Sequence, residues 1–339
     1  MKTARTLGER RIINTILGCL EPMPHMPIPF GDDASAIDLG NGRLAIIKTD
    51  MLVSKTDVPP EMSIKQAARK AIIMNISDLA AKGAKTTALL VSLGIPKELT
   101  EKDIAQIGEG LNAGAPEYSA YVLGGDTNEA PDLIISCSAF GVMNKNHLML
   151  RNGAKPHDVV AVTGKFGNTA AGLRTLLKHM SPSTRLKEKL VDSVLMPKAR
   201  LTEGLALAHT GAVTASIDSS DGLAWSLHEL SKASNVGFTI DRLPLAEEAE
   251  EFAKLYSIDP AELCLYGGEE YELVVTIKPE AFMKVSKKVP LIPIGHATEG
   301  KSLKLEIRGK KIPIEARGWE HFKQPSKELE QHVGGIHPS

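Results

Sequence analysis

The stretch SIKQAARKAIIMNISDLAAKG, Ser63 to Gly83, decides the architecture. Ser63 followed by Gln66 three residues later is a capping-box pattern. Ile64, Ala67, Ala68, Ala71, Ile72, Leu79 and Ala80 recur at helical spacing, and Gly83 supplies a stop. The pattern predicts one helix on which Asn75 and Asp78, at i and i+3, share a face. Upstream, the apolar run 44–47 ends in Lys48-Thr49-Asp50 and predicts a strand delivering a carboxylate at its carboxyl end.

Working outward, a second helix is predicted over 102–116, a strand over 118–123 running into Gly124-Gly125-Asp126, and another strand over 133–142. The polar turn around Asn152-Gly153-Ala154-Lys155-Pro156 marks a boundary. It divides the chain into an amino-terminal α/β domain (1–145), a carboxyl-terminal α/β domain (146–325) and a polar tail (326–339). The second half predicts strands at 159–162, 213–217, 273–277, 289–294 and 303–307, with helices over 168–179 and 223–231. Strands and helices mix in both halves, so the fold class is α/β (α+β) with a mixed sheet in each domain.

A chain of 339 residues exceeds the size at which single cores stop growing, which supports two domains. Forty Lys and Arg against 41 Asp and Glu, with 4% aromatics, speak against a nucleic-acid surface and an anionic-membrane binder. Cys19, Cys137 and Cys264 show no CxxC spacing and are expected to be small buried apolar residues in a reducing compartment. The first twenty residues carry Lys2, Arg5, Glu9, Arg10 and Arg11 without a long apolar core, and no later apolar run approaches a membrane span. A soluble, cytoplasmic protein is the expectation.

Six acidic signatures carry the chemistry: GDDA (31–34), TD (49–50), NISD (75–78), GGDT (124–127), DSSDG (218–222) and GGEEYE (267–272). Singly, each has a plain alternative: Asp78 could pair with Lys82 at i+4, Asp221 could cap a helix, and Asp33 or Asp126 could organise a turn. Jointly, carboxylates at strand ends and on one helix face point to a fold that gathers them around hard cations, for which Mg²⁺ is the fitting ion. An EF-hand does not account for DSSDG, since its first and twelfth ligand positions would be Ile217 and His228. Glycines beside these motifs leave backbone amides open to phosphate oxygens, and Arg151 is the best side-chain phosphate clamp. Gly295 to Ser302 also matches the phosphate-loop pattern GxxxxGKS. That loop requires a helix behind it, whereas Leu303, Leu305 and Ile307 alternate with Lys304, Glu306 and Arg308, so a hairpin turn is expected instead.

Taken in order, GDDA, TDMLV, NISDLAAKGA, GGDT, RNGAKPHDVVAVTG, IDSSDGL and GGEEYELV resemble the thiamine-monophosphate kinase family from about Gly31 to about Phe322. The resemblance implies the two-domain fold of aminoimidazole ribonucleotide synthetase, with an amino-terminal sheet pairing across a homodimer and with ATP and several Mg²⁺ ions in the cleft. It implies a metal set of Asp32, Thr49, Asp50, Asp78, Asp126, Asp218 and Asp221. Gly125, Asp126, Arg151 and Ser220 would lie along ATP, and Asp57, Glu270, Tyr271, Trp319 and Phe322 would face the acceptor, thiamine monophosphate. Trp319 and Phe322 are the aromatic pair suited to its cationic thiazolium, unless Trp319 packs the carboxyl-terminal segment onto its domain. The chain departs from the familiar bacterial pattern in two places, LVSKTDVPP (52–60) and the Glu-Glu of GGEEYE, both on the acceptor side.

The reaction so implied needs no general base, because a phosphate monoester is largely dianionic at neutral pH. Positioning and charge neutralisation then carry the catalysis by direct in-line transfer. Competing readings are an ATP-dependent synthetase of the same superfamily, ring-closing or selenophosphate-forming, and a non-catalytic nucleotide or metal sensor. Cys19, in ILGCLEP, lacks the glycines of the selenophosphate type, and the sequence ends in GGIHPS rather than the reactive cysteine of the hydrogenase-maturation relatives.

Overall fold

The computed structural model describes residues 3–178, 180–307 and 309–322. The first half comprises α1 (Ala4–Leu7), α2 (Glu9–Leu17), β1 (Ser35–Gly40), β2 (Arg43–Val53), α3 (Ser54–Asp57), α4 (Ile64–Ala81), β3 (Thr86–Ile95), α5 (Glu101–Glu117), β4 (Tyr121–Glu129) and β5 (Ile134–Asn144). Its sheet runs β1-β2-β5-β3-β4, antiparallel except for the β3–β4 pair. Parallel neighbours need a crossover, and α5 supplies it.

The helix read from Ser63 to Gly83 forms with its capping box intact, Ser63 Oγ accepting from the Gln66 amide and the Gln66 side chain from the Ser63 amide. Gly83 follows at φ 71°. Apart from its first turn, α4 is almost entirely buried, because it packs on β2, β5 and α5 of its own half and on two helices and a strand of the other.

That second half comprises β6 (Val159–Val162), α6 (Asn168–Leu177), α7 (Thr184–Leu195), α8 (Leu201–Ala208), β7 (Val213–Asp218), α9 (Leu223–Ser234), β8 (Gly237–Ile240), α10 (Glu247–Tyr256), α11 (Pro260–Tyr266), β9 (Leu273–Ile277), α12 (Pro279–Val285), β10 (Ile292–Thr298), β11 (Leu303–Ile307) and β12 (Lys310–Pro313). Its sheet order is β12-β11-β8-β10-β6-β9-β7, with only β8 and β11 parallel. The two helix contacts across the seam are visible in detail at α8, where a Cβ on Gly204 would stand 2.2 Å from the Ala80 carbonyl oxygen. Only glycine permits that approach. One apolar core accordingly runs through Ile72, Ile76 and Leu79 of α4 into Leu207, Leu273 and Ile277.

Side-chain alternation on β2 sets up the site. Leu44, Ile46, Lys48, Asp50 and Leu52 face α4, while Ile47, Thr49 and Met51 occupy the outer face. Through strand pairing that outer face also carries Leu90, Phe140 and Tyr121, 40 to 65% exposed.

Several expectations change. Asp50 lies inside an eleven-residue strand rather than at a strand end. The GGDT segment is itself strand, held in register from Leu90↔Gly124 to Ile95↔Glu129, so backbone pairing outweighs the low strand propensity of Gly and Asp. The 299–302 connection is not a hairpin, since β8 lies between β10 and β11; no helix follows it either. Cys19 is exposed in the turn just beyond α2, a helix that itself buries no side chain, whereas Cys137 and Cys264 are buried. His179 and the 326–339 tail lie outside the described residues. Among those residues no helix is long and apolar enough to cross a membrane.

Candidate active site

At the seam between the two halves, three buried carboxylates converge. Asp33 comes from the turn before β1, Asp78 from α4 and Asp218 from the end of β7, and one oxygen of each lies within 4.8 Å of the others. Ser77 Oγ donates to Asp218 at 2.6 Å. Asp50 adds its charge from β2. Cations of the chain itself interleave with this cluster. Lys48 Nζ lies 2.9 Å from Asp78, and Lys82, completely buried, pairs with both Asp32 and Asp33 and donates to the Ser216 carbonyl at 3.2 Å. Arg151 donates to Asp33 through Nε at 2.8 Å and through Nη2, and to the Gly31 carbonyl at 2.8 Å. Its backbone amide donates to Asp32 at 3.0 Å.

The balance of these charges is uneven. Burial opposes ionisation of Asp33, yet Arg151 and Lys82 hold its carboxyl below the usual range. Burial pushes Asp78 well above that range despite Lys48, with Asp218, Asp50 and Asp33 adding to the shift. Asp218 is pushed up to about 6, by burial and then by Asp33. Asp221 is pushed up to about 7, by burial and then by Glu9 and Asp218. Carboxylates so raised are short of positive charge, and an all-oxygen donor set of this kind fits Mg²⁺.

Of the expected metal residues, the structure brings Asp78 and Asp218 together, with Asp32 joined to the neighbouring Asp33 through Lys82, Asp50 close enough for its charge to act on Asp78, and Asp221 and the exposed Ser220 on the adjoining turn. It separates others. The Thr49 hydroxyl turns to the outer face and donates to the Cys137 carbonyl at 3.1 Å. Gly125 and Asp126 sit on edge strand β4, three strand spacings (~14 Å) from β2, and Asp126 pairs with Ser92 on the outer face. Gly125 meets a packing need, because a Cβ there would stand 1.7 Å from the Val91 carbonyl oxygen.

On the acceptor side, Asp57 accepts from the Val53 amide at 2.7 Å. The half-buried Glu270 carboxylate accepts from the amides of Gly167 (2.6 Å) and Thr169 (3.2 Å) at the start of α6. Desolvation still pushes Glu270 up to about 7. Tyr271 is buried, and after desolvation the charges of Glu269, Asp50, Asp218 and Asp78 further disfavour its phenolate. Trp319 and Phe322 are each 54% exposed, so neither is packed into its domain. The Trp319 amide donates to the Asp221 carbonyl at 3.0 Å, which places Trp319 beside the DSSDG turn.

Sequence reasoning missed Asp33 as a cluster member, and Lys48 and Lys82 as its counter-ions. The available signals were the GDDA doublet, the i, i+2 spacing of Lys48 and Asp50, and the i, i+4 spacing of Asp78 and Lys82. The last of these misleads, since Lys82 turns to Asp32 and Asp33 while Asp78 takes Lys48.

Known proteins share this sequence pattern and fold. The family profile described as AIR synthase related protein, N-terminal domain, matches residues 31–143, and its C-terminal counterpart matches residues 155–308. Thiamine-monophosphate kinase of Pyrococcus horikoshii is 38% identical over 296 residues, covering 87% of this chain and 91% of the relative. The chain belongs to the thiamine-monophosphate kinase family. The thiamine-monophosphate kinase of Bacillus subtilis is 31% identical, over 87% of this chain and 94% of that one. Among solved structures, AaThiL complexed with AMPPCP and TMP superposes with a TM-score of 0.84 at 28% identity, covering 95% of this chain and 99% of that one. Escherichia coli HypE, a hydrogenase maturation protein, shares the fold at a TM-score of 0.69 and 19% identity, covering 91% of this chain and 97% of that one. Within the thiamine-monophosphate kinase family the chain is a kinase with a mixed sheet in each half.

Proposed function

We propose that the protein transfers the terminal phosphoryl group of ATP directly, in line, to the phosphate of thiamine monophosphate, giving thiamine diphosphate and ADP. The observation that carries this reading is the buried convergence of Asp33, Asp78 and Asp218 at the seam of a kinase-family fold. Asp33, Asp78 and Asp218 would hold Mg²⁺, with Asp32, Asp50 and Asp221 at its margin. Bound there, Mg²⁺ would supply charge neutralisation between the ATP polyphosphate and the acceptor's phosphate monoester dianion. Arg151 and Lys82 orient the 31–33 turn, and Lys48 tempers the charge of Asp78. The acceptor oxygen arrives already deprotonated, so none of these side chains has to remove a proton. Trp319, beside the Asp221 turn, and the exposed Phe322 three residues on offer aromatic faces to the cationic thiazolium.

The apolar outer face of the first sheet supports a homodimer. A second copy on that face is also the arrangement that would give Thr49, Gly125 and Asp126 a neighbouring site to serve, since within one chain they stand apart from the cluster.

Asp218→Asn tests the metal assignment. It retains the Ser77 contact in shape but removes one anionic ligand, and turnover should fall by on the order of 100-fold or more. A variant with unchanged turnover and unchanged Mg²⁺ requirement would remove Asp218 from the site.

A further inference from the structure

Lys70 lies on α4 with its side chain 1% exposed. Its ammonium donates to the Asp57 carbonyl at 2.9 Å and pairs with the Glu269 carboxylate. Asp57 closes α3, and Glu269 belongs to the turn between α11 and β9. The two segments in which the sequence departs from the familiar bacterial pattern, LVSKTDVPP and GGEEYE, therefore meet at one buried ammonium supplied by a third element.

The turn that Lys70 grips is conformationally demanding. Glu269 and Tyr271 have φ of 64° and 52°, left-handed backbone that non-glycine residues disfavour and that persists only when the surroundings over-determine it. The determinants are specific. The Glu269 and Tyr271 amides donate to the Ser220 and Ser219 carbonyls at 2.6 and 3.0 Å. The Glu270 side chain is fixed at the start of α6 and that of Glu272 on Arg200, whereas Glu269 reaches across the seam to α4. Held in this way, the Tyr271 phenol stands in the field of Asp50, Asp78 and Asp218. Glu269 also lines a cleft of about 410 Å³ with Asn168, Thr169, Lys198 and Arg200.

We propose that Lys70 is a positioning residue for the acceptor: its single ammonium ties α3 to the 268–272 turn, and so fixes Tyr271 and the rim of the cleft that thiamine monophosphate meets. The proposal rests on the kinase reading above. A buried Lys70 without a partner, or Glu269 without Lys70, leaves the turn to relax toward ordinary backbone.

The test combines Lys70→Met, Glu269→Gln and the double variant. Amide hydrogen exchange at residues 268–272 should accelerate by about tenfold or more in each single variant, and the double should be no faster than the faster single, because both remove one interaction. The KM for thiamine monophosphate should rise by about tenfold, with the KM for ATP within about twofold of the parent. Should Lys70→Met fail to fold, Glu269→Gln, whose side chain is 28% exposed, carries the test alone. Unchanged exchange and unchanged acceptor KM in a folded variant, additive effects in the double, or equal rises in both KM values would overturn the assignment. Exchange needs no substrate, so it decides the role of Lys70 even where the parent protein leaves thiamine monophosphate unreacted and the kinase reading itself falls.

Discussion

Lys82 holds the carboxylate cluster together when no metal is bound. It is completely buried and pairs with Asp32 and Asp33, whose side chains are 3% and 0% exposed. Removing one side of a buried ion pair leaves the other uncompensated, at a cost of about 3–5 kcal/mol. Lys82→Met should therefore lower the thermal midpoint by on the order of 10 °C, and Mg²⁺ should recover part of the loss by serving the same carboxylates. Scanning calorimetry with and without Mg²⁺ checks this; a midpoint within ~2 °C of the parent would mean that Asp32 and Asp33 do not depend on Lys82. The GDDA doublet could not reveal which of its carboxylates points into the seam, because adjacent residues of a turn have no fixed alternation.

Two elements carry the acceptor and decoy predictions. Trp319→Leu should raise the KM for thiamine monophosphate and leave that for ATP nearly unchanged, since the exposed indole lies beside the Asp221 turn. Lys301→Ala, in the connection between β10 and β11, should alter neither constant. Steady-state kinetics of both variants decide the matter: a Trp319→Leu enzyme with parental constants would leave that aromatic without a ligand role. Helix α4 was legible in the sequence because capping box, apolar period and glycine stop all agree. Strand β4 was legible only in its first residues, because Gly124 and Gly125 read as chain breakers until β3 is seen to pair with them. The connection after β10 kept its strand pattern, but strand order is a long-range property, and β8 between the two partners turns an expected hairpin into a crossover.

Across the whole molecule, the shared core fixes the two halves around α4, so that residues from both sheets meet at one set of carboxylates. The family resemblance carried by the order of the signatures implied the two-domain fold; the internal lysines that temper the carboxylates were not foretold, because a lysine two residues from an aspartate looks like any solvated pair. The exposed outer face of the first sheet predicts a dimer. Sedimentation equilibrium should give twice the 36.4 kDa of one chain, and Leu90→Glu should shift it toward that single mass, whereas a parent protein sedimenting as a monomer would withdraw the interface. On the proposed mechanism the site neutralises an anionic acceptor instead of activating an alcohol. Product analysis after incubation with ATP and Mg²⁺ tests it most directly, with thiamine monophosphate in one reaction and free thiamine in the other. Thiamine diphosphate and ADP are expected from the first and no phosphorylated thiamine from the second; equal rates on both, or no product from thiamine monophosphate, would rule the mechanism out.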